Sequence, residues 1–563
     1  MPSRIDGDYL RSNHIESSIA RAFMQGAGFS EKDLKERPVV GIFNSWSEMN
    51  PCNLNLDQIA KSVREGIMEA GGLPVEIPTI SIHEQINYPS SLLLRNLMAM
   101  DVEEMIKRSP VDGVVLLNGC DKTVPAQIMG AISAGKPAIS LSAGPRALSI
   151  YKGEEMTIHS LWGKKEERQK GEINDKGWEE YLSKLIPGPG TCNVMGTAST
   201  MSALMEALGL ALPGTSFFPS QSKERELAAK KTGRMAVEMI KEKRTPDQIV
   251  TLESLENAFR TVCALGGSTN AVIHLEAIAG RAGLRIGIDR FRLWSETTPH
   301  LVAVSPSGPY SLHDFSQAGG VPALFKRLAT LLHLESRVVT GETWSKIIGR
   351  TESTDSPVLR TLDNPINPDG GLAILKGSLA PGGAVFKRSA VPKEFWTHRG
   401  PATVFEGIED MEKRINDPNL PVGPESVIIL RGMGPKGGPG MPESAKVPIP
   451  KKLWESGVRN MVRISDGRMS GTADGAVVLH VTPESAEGGP LALVQDGDII
   501  ELDAIKGRLE LLVDAKELDK RRKNLQKAKS PSRGYDWLYH QHVTQADTGV
   551  DFDFLIDPAV RSR

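Results

Sequence analysis

Val114-Val115-Leu116-Leu117-Asn118-Gly119-Cys120-Asp121-Lys122-Thr123 reads as a strand that breaks at a small-residue turn and passes into a helix near Pro125. An apolar run with no polar alternation suits a strand covered on both faces, the situation of parallel sheets flanked by helices. Working outward, Ala138-Ile139-Ser140-Leu141 is the next strand and a helix over about Ser91 to Arg108 precedes the first. Pro74-Val75-Glu76-Ile77-Pro78 reads as an edge strand, because its prolines cannot donate to a ladder. A helix over about Leu54 to Ala70 carries Leu56, Ile59, Ala60, Val63 and Ile67 on one face and stops at Gly71-Gly72. Val39-Val40-Gly41-Ile42-Phe43 opens the series as another buried strand. This βαβ grammar predicts a doubly wound, mostly parallel α/β sheet.

Residues from about 151 to 190 are charged and end in Pro187-Gly188-Pro189-Gly190, the composition of a surface insertion or loop. Helices are expected over about Asn193 to Leu210 and Lys223 to Glu242. Beyond about residue 365 the pattern changes. Short apolar runs such as Ser426-Val427-Ile428-Ile429-Leu430 and Ala476-Val477-Val478-Leu479-His480-Val481 alternate with Gly-rich turns. Many short strands at this spacing predict a β-barrel-like or sandwich domain. The expected division is residues 1–365 for the α/β domain and 366–563 for the β domain. A chain of 563 residues calls for more than one core.

Apolar residues make up 40% and charged residues 24% of the chain, and the formal net charge is −2. That balance gives no general electrostatic case for nucleic acid or an anionic membrane. No apolar run approaches the roughly 20 residues that span a bilayer. Met1-Pro2-Ser3-Arg4-Ile5-Asp6-Gly7-Asp8 has no apolar leader, and Val560-Arg561-Ser562-Arg563 is not a peroxisomal address. The expectation is a cytoplasmic protein acting on a small molecule.

The cysteines are Cys52, Cys120, Cys192 and Cys263. Their wide spacing in a cytosolic chain makes a disulfide framework a poor reading and leaves metal, catalysis or plain burial. Cys52, Cys120 and Cys192 each follow a turn and precede a helix. A helix N-terminus favours a thiolate, and the carboxyl edge of a parallel sheet is where ligands bind. Three thiolates meeting there could hold an iron–sulfur cluster with one iron open; three unrelated buried thiols are the alternative. Cys263 lies in the apolar Thr261-Val262-Cys263-Ala264-Leu265 and reads as core. Asp121 and Lys122 adjoin Cys120, Glu84 follows Ile80-Ser81-Ile82-His83, and Glu443 sits in a Gly/Pro loop. Their carboxylates suit Mg²⁺ if they converge, and are otherwise solvated charges. Ser465-Asp466-Gly467-Arg468-Met469-Ser470-Gly471-Thr472 is either a tight turn or a site where backbone approaches a ligand.

Taken in order, Pro51-Cys52-Asn53, Gly119-Cys120-Asp121-Lys122, Gly190-Thr191-Cys192-Asn193, Gly437-Gly438-Pro439-Gly440-Met441-Pro442-Glu443 and the Ser470 motif resemble the dihydroxy-acid dehydratase / 6-phosphogluconate dehydratase family. The resemblance runs from about residue 10 to 558. It is closest to the sugar-acid branch, on Glu84, on Val447-Pro448-Ile449-Pro450 after Glu443, and on the tail Gly534-Tyr535-Asp536-Trp537. The resemblance implies a [2Fe–2S] cluster on Cys52, Cys120 and Cys192, although three cysteines also suit [4Fe–4S]. It implies Mg²⁺ near Glu84, Asp121, Lys122 and Glu443, with Lys122 carbamylated, and a homodimer or homotetramer. It further implies α,β-elimination of water from a small polyhydroxy acid, with Ser470 as base and Thr472 orienting it or binding substrate. The rival activity is dehydration of a branched-chain dihydroxy acid; a rival of another class is an iron–sulfur electron carrier. Arg146, His274 and Gly266-Gly267-Ser268-Thr269-Asn270 are candidates for the distal end of the substrate, with packing as the alternative for His274.

Overall fold

The computed structural model describes residues 5–169, 171–352, 355–525 and 530–561; the chain ends read above, residues 1–4 and 562–563, lie outside them. The first layer is a four-stranded parallel sheet in the order β2-β1-β3-β4, from β1 (Val39–Asn44), β2 (Leu73–Pro78), β3 (Gly113–Asn118) and β4 (Ala138–Ser142). Strands β1, β3 and β4 are buried along their whole length, which is why their sequences do not alternate. The proline-bounded β2 lies at the edge, as its missing donors require. Helices α1 (Leu56–Glu69), α2 (Ser91–Arg108) and α3 (Thr123–Ala134) link these strands. The predicted doubly wound domain is present.

The charged stretch after β4 is a folded lobe and not a bare loop. A hairpin, β5 (Ser149–Tyr151) with β6 (Glu154–Met156), is followed by α4 (Ser160–Gln169) and α5 (Asp175–Leu185). Met156, Tyr181 and Leu185 form its small core. So few apolar residues suffice for this lobe that its composition resembles a linker. Next come α6 (Thr197–Ala207) and α7 (Lys223–Lys241), the latter packed on α1. Helix α6 starts later than the sequence suggests, because Met195 N–H is drawn to Ser305 O and the chain up to Gly196 stays irregular.

The C-terminal domain is one eight-stranded sheet in the order β14-β13-β9-β10-β11-β12-β8-β7. The strands are β7 (Ala373–Leu375), β8 (Gly383–Phe386), β9 (Thr397–Glu406), β10 (Val427–Arg431), β11 (Arg463–Ser465), β12 (Val477–Thr482), β13 (Ile499–Asp503) and β14 (Arg508–Leu511). Lys376, just past β7, pairs with Arg508 on β14, so the two ends nearly close into a barrel. A barrel-like sheet, and not a sandwich, is therefore what these strands build. Alternation sorts the side chains: Ile429 and Ile464 join the interior cluster, while Ile428 and Leu430 pack outside with Met411 and Leu453. No helix among the described residues is long and apolar enough to cross a membrane.

Candidate active site

Cys52, Cys120 and Cys192 come together at the carboxyl edge of the parallel sheet. The Cys52, Cys120 and His83 ligand atoms lie within 4.8 Å of one another, and Cys52 and Cys192 are near enough to shift each other's ionisation. Backbone anchors fix this meeting. Asn53 Oδ1 accepts Cys120 N–H at 3.0 Å, while Asn50 Nδ2 donates to Ile82 O at 3.0 Å. Gly119 permits the approach: a Cβ there would fall 2.6 Å from Asn53 Oδ1. Arg146 Nη2 donates to Cys52 Sγ at 3.3 Å and to Gly190 O at 2.7 Å. The contacts from Cys120 and Cys192, together with burial, push Cys52 well above the usual thiol range; the Cys52 contact pulls Cys192 down. Two buried thiols and a half-buried one cannot all ionise beside one another without a cation, so the donor set suits a metal centre.

Directly beside it, Glu84, Asp121 and Glu443 place one oxygen each within 4.8 Å of the others. Glu84 and Asp121 come from the sheet edge and Glu443 from a barrel loop. Arg468 clamps the two domains' acids together, donating to Glu443 Oε1 at 2.6 Å and to Glu84 Oε1 at 2.8 Å. It also donates to Ser90 Oγ at 3.0 Å, and Ser90 in turn donates to Gly440 O at 2.6 Å. Ser90 caps α2 as well, by accepting Leu92 N–H, a device worth about 1 kcal/mol. Lys122 Nζ, fully buried, lies 3.1 Å from Glu84 and 3.7 Å from Asp121 without a well-directed hydrogen bond. Burial alone would raise Glu84, yet Arg468 and Lys122 hold it at about 2. Burial and the Glu84 charge push Glu443 up to about 8. A hard divalent cation is what such a set of oxygens accepts, with ligands at roughly 2.1 Å for Mg²⁺.

The Ser470 turn is linked to the carboxylate pocket through Thr197 and Asn270. Ser470 Oγ is 2.8 Å from Thr472 Oγ1 and accepts Thr472 N–H at 3.3 Å. Gly471 has no room for a side chain, since a Cβ would lie 2.8 Å from Thr197 N. Thr197 Oγ1 accepts from Asn270 Nδ2 at 3.0 Å, and the same amide donates to Glu443 Oε1 at 3.1 Å. The lobe reaches over the turn: His159 Nδ1 is 2.9 Å from Thr472 O, and Trp162 Nε1 donates to Thr472 Oγ1 at 3.2 Å. Lys387 Nζ donates to Gly471 O at 2.8 Å from the barrel side.

Every residue named from the sequence as a cofactor, metal or catalytic candidate lies in this region, and Cys263 lies in the core, its thiol pushed up to about 12 by burial. Arg146 is tied to Cys52 and the Gly190 carbonyl, not free for a distal substrate group. Asn270 of the glycine-rich loop braces Glu443. His274 is packing: Arg95 donates to its Nδ1 at 3.1 Å, and burial keeps it neutral. Sequence reasoning missed His83, Arg468, Lys387, His159 and Trp162. The first two were readable in principle, one preceding Glu84 and the other inside the Ser470 motif. The remaining three carry no local signal, because they arrive from distant elements.

A parallel sheet edge that pairs a thiol pocket with a carboxylate pocket under a serine turn defines a metal-dependent enzyme for small acids. Residues 37–347 match the dihydroxy-acid/6-phosphogluconate dehydratase N-terminal family, and residues 357–550 match its C-terminal counterpart. The chain belongs to that dehydratase family. It is 43% identical to L-arabinonate dehydratase of Rhizobium leguminosarum bv. trifolii over 95% of this chain and 93% of the relative. It is 42% identical to 6-deoxy-6-sulfo-D-gluconate dehydratase of Pseudomonas putida (96% and 94% covered). It is 41% identical to dihydroxy-acid dehydratase of Ignicoccus hospitalis (95% and 97% covered). The relatives thus include both sugar-acid and dihydroxy-acid dehydratases.

Proposed function

We propose that this chain is a hydro-lyase that removes water from a sugar acid, an aldonate, to give a 2-keto-3-deoxy acid. The observation that carries the reading is the adjacency of the two pockets: Asp121 follows Cys120 and Glu84 follows His83, so one small acid can touch both. The polar surroundings of the Ser470 turn, with His159, Trp162, Lys446 and Asp474, favour a polyol over a branched alkyl chain.

Cys52, Cys120 and Cys192 would hold a [2Fe–2S] cluster. Glu84, Asp121, Glu443 and a carbamylated Lys122 would hold Mg²⁺. When bound, the cluster supplies a Lewis acid for the departing 3-hydroxyl and the cation stabilises negative charge growing at the carboxylate end. Carbamylation exchanges the Lys122 cation for an anionic oxygen, a fourth hard ligand beside the three carboxylates. Arg468 keeps Glu84 and Glu443 at fixed separation. Ser470 Oγ takes the proton from C2, and Thr472 holds that oxygen in place. The enol left after elimination tautomerises to the keto acid.

The test is a panel of aldonates, with 2,3-dihydroxyisovalerate as the branched-chain competitor, assayed on anaerobically purified, Mg²⁺-supplied protein. A 2-keto-3-deoxy product from an aldonate, at higher kcat/KM than from the competitor, is the expected result; preference for the competitor overturns the substrate class. Ser470→Ala is expected to keep its iron and lose about 10³-fold in kcat. A loss under about tenfold removes Ser470 from the base role.

A further inference from the structure

We propose that Trp162 and Lys387 are positioning residues that hold Ser470 Oγ as a hydrogen-bond acceptor, and so favour the form of the serine able to take a proton. The inference rests on the reading of Ser470 as the base. Two chains of hydrogen bonds end on that one oxygen, and they come from opposite sides of the turn.

The first comes from the lobe. Trp162 Nε1 donates to Thr472 Oγ1 at 3.2 Å, and Thr472 Oγ1 lies 2.8 Å from Ser470 Oγ. An indole N–H can only donate, whereas a hydroxyl has one proton and two acceptor sites. Among the described residues the Thr472 hydroxyl has no third hydrogen-bond neighbour. Having accepted from Trp162, it keeps its own proton free to donate to Ser470, 2.8 Å away.

The second comes from the barrel. Lys387 Nζ donates to Gly471 O at 2.8 Å, and Thr472 N–H donates to Ser470 Oγ at 3.3 Å. That carbonyl and that N–H are the two ends of one peptide unit. A cation on the carbonyl end makes the N–H a stronger donor, because linked hydrogen bonds polarise one another. Lys387 is buried at the end of β8, and Gly471 O is its hydrogen-bond partner. Burial pushes its amine down to about 8, against a weak pull from Asp474, so the ammonium still prevails at neutral pH. The result is two donors aimed at one serine oxygen, an arrangement that in other sites stabilises an oxyanion.

The other titratable groups facing this turn are accounted for. His159 lies on Thr472 O, Lys446 is paired with Asp474 and sits over the Trp162 ring, and His300 neighbours Lys387. None of them bonds Ser470 Oγ. The turn cannot swing away from its donors, because Gly471 is pressed against Thr197 and Ser268.

The experiment is the pH profile of kcat/KM for the metal-loaded enzyme, with iron content measured, for wild type, Trp162→Phe, Lys387→Met, Lys387→Arg and Ser470→Ala. Trp162→Phe keeps an aromatic ring under Lys446 and removes the N–H donor, at a half-buried site. Removing a donor raises the serine pKa, so the acid limb moves to higher pH, by about one unit. We expect kcat to fall about tenfold with KM changed less than about twofold. Lys387→Met shifts the limb the same way, and Lys387→Arg restores part of the shift. An acid limb unmoved in Trp162→Phe, while Ser470→Ala is inactive, overturns this inference and leaves the base reading standing. An active Ser470→Ala overturns both.

Discussion

The thiol pocket and the carboxylate pocket sit side by side, yet they solve the problem of buried charge in opposite ways. Among the described residues Arg146 is the cation bonded to the thiol set; the neighbouring thiols and burial push Cys52 up, while the Cys52 contact pulls Cys192 down. Glu84, Asp121 and Glu443 hold two buried cations, Arg468 and Lys122, at salt-bridge distance. A thiol in a dry pocket can remain neutral until a soft metal displaces its proton. A carboxylate there needs a counter-charge from the start. The difference teaches that the first pocket can be assembled from one domain alone, whereas the second requires the barrel's Arg468 and Glu443 to be in place.

The comparison breaks most sharply at Cys52. Cys52→Ser is expected to abolish bound iron and reduce turnover by more than about 10³-fold, while Mn²⁺ affinity at the carboxylates changes less than about threefold. Iron analysis and a Mn²⁺ titration followed by electron paramagnetic resonance check it; a parallel loss of Mn²⁺ means the pockets are one unit. Arg468→Leu tests the other side. It leaves Glu84 and Glu443 without their shared cation and should cost about 3–5 kcal/mol in metal-free protein. Saturating Mg²⁺ should return part of that, read from urea unfolding with and without the ion.

A smaller effect concerns the loop that delivers Glu443. Glu484 accepts the Lys436 and Gly437 N–H groups of that loop, and burial pushes its carboxyl up to about 7. A carboxyl raised in the folded state carries no penalty below its unfolded value of 4.5, and stability falls as pH rises from there through 7. Glu484→Gln should flatten that decline, by about 3 kcal/mol between its ends. Thermal unfolding across pH 4.5 to 7.5 measures it; an unchanged slope removes Glu484 as its source. The smallest change is expected for Cys263→Ala, about 1 kcal/mol of stability with iron content untouched. Loss of iron there would mean that the thiol pocket extends further than its three members.

Much of the fold was legible because a fully buried parallel strand leaves an unbroken apolar run, as in β1 and β3, and proline marks the edge, as in β2. The barrel was legible as a class, but its closure rests on Lys376 meeting Arg508, a pairing between remote segments that no local pattern records. The lobe over the Ser470 turn read only as a surface insertion or loop, without its elements, because its small core asks for few apolar residues. Within the site, residues in turn-to-helix motifs announced themselves through their neighbours. Trp162 and Lys387 did not, since each is defined by the backbone it reaches across space. Arg146, a candidate for the distal end of the substrate, has a partner that sequence does not announce, the Cys52 sulfur.

The chain order of the two pockets has a consequence for biosynthesis. All three sulfur donors and their arginine are already made when translation passes Cys192, long before Glu443, Arg468 and the Ser470 turn emerge. A polypeptide halted midway would own all three clustered thiols, but only Glu84 and Asp121 of the acidic triad and none of the Ser470 turn.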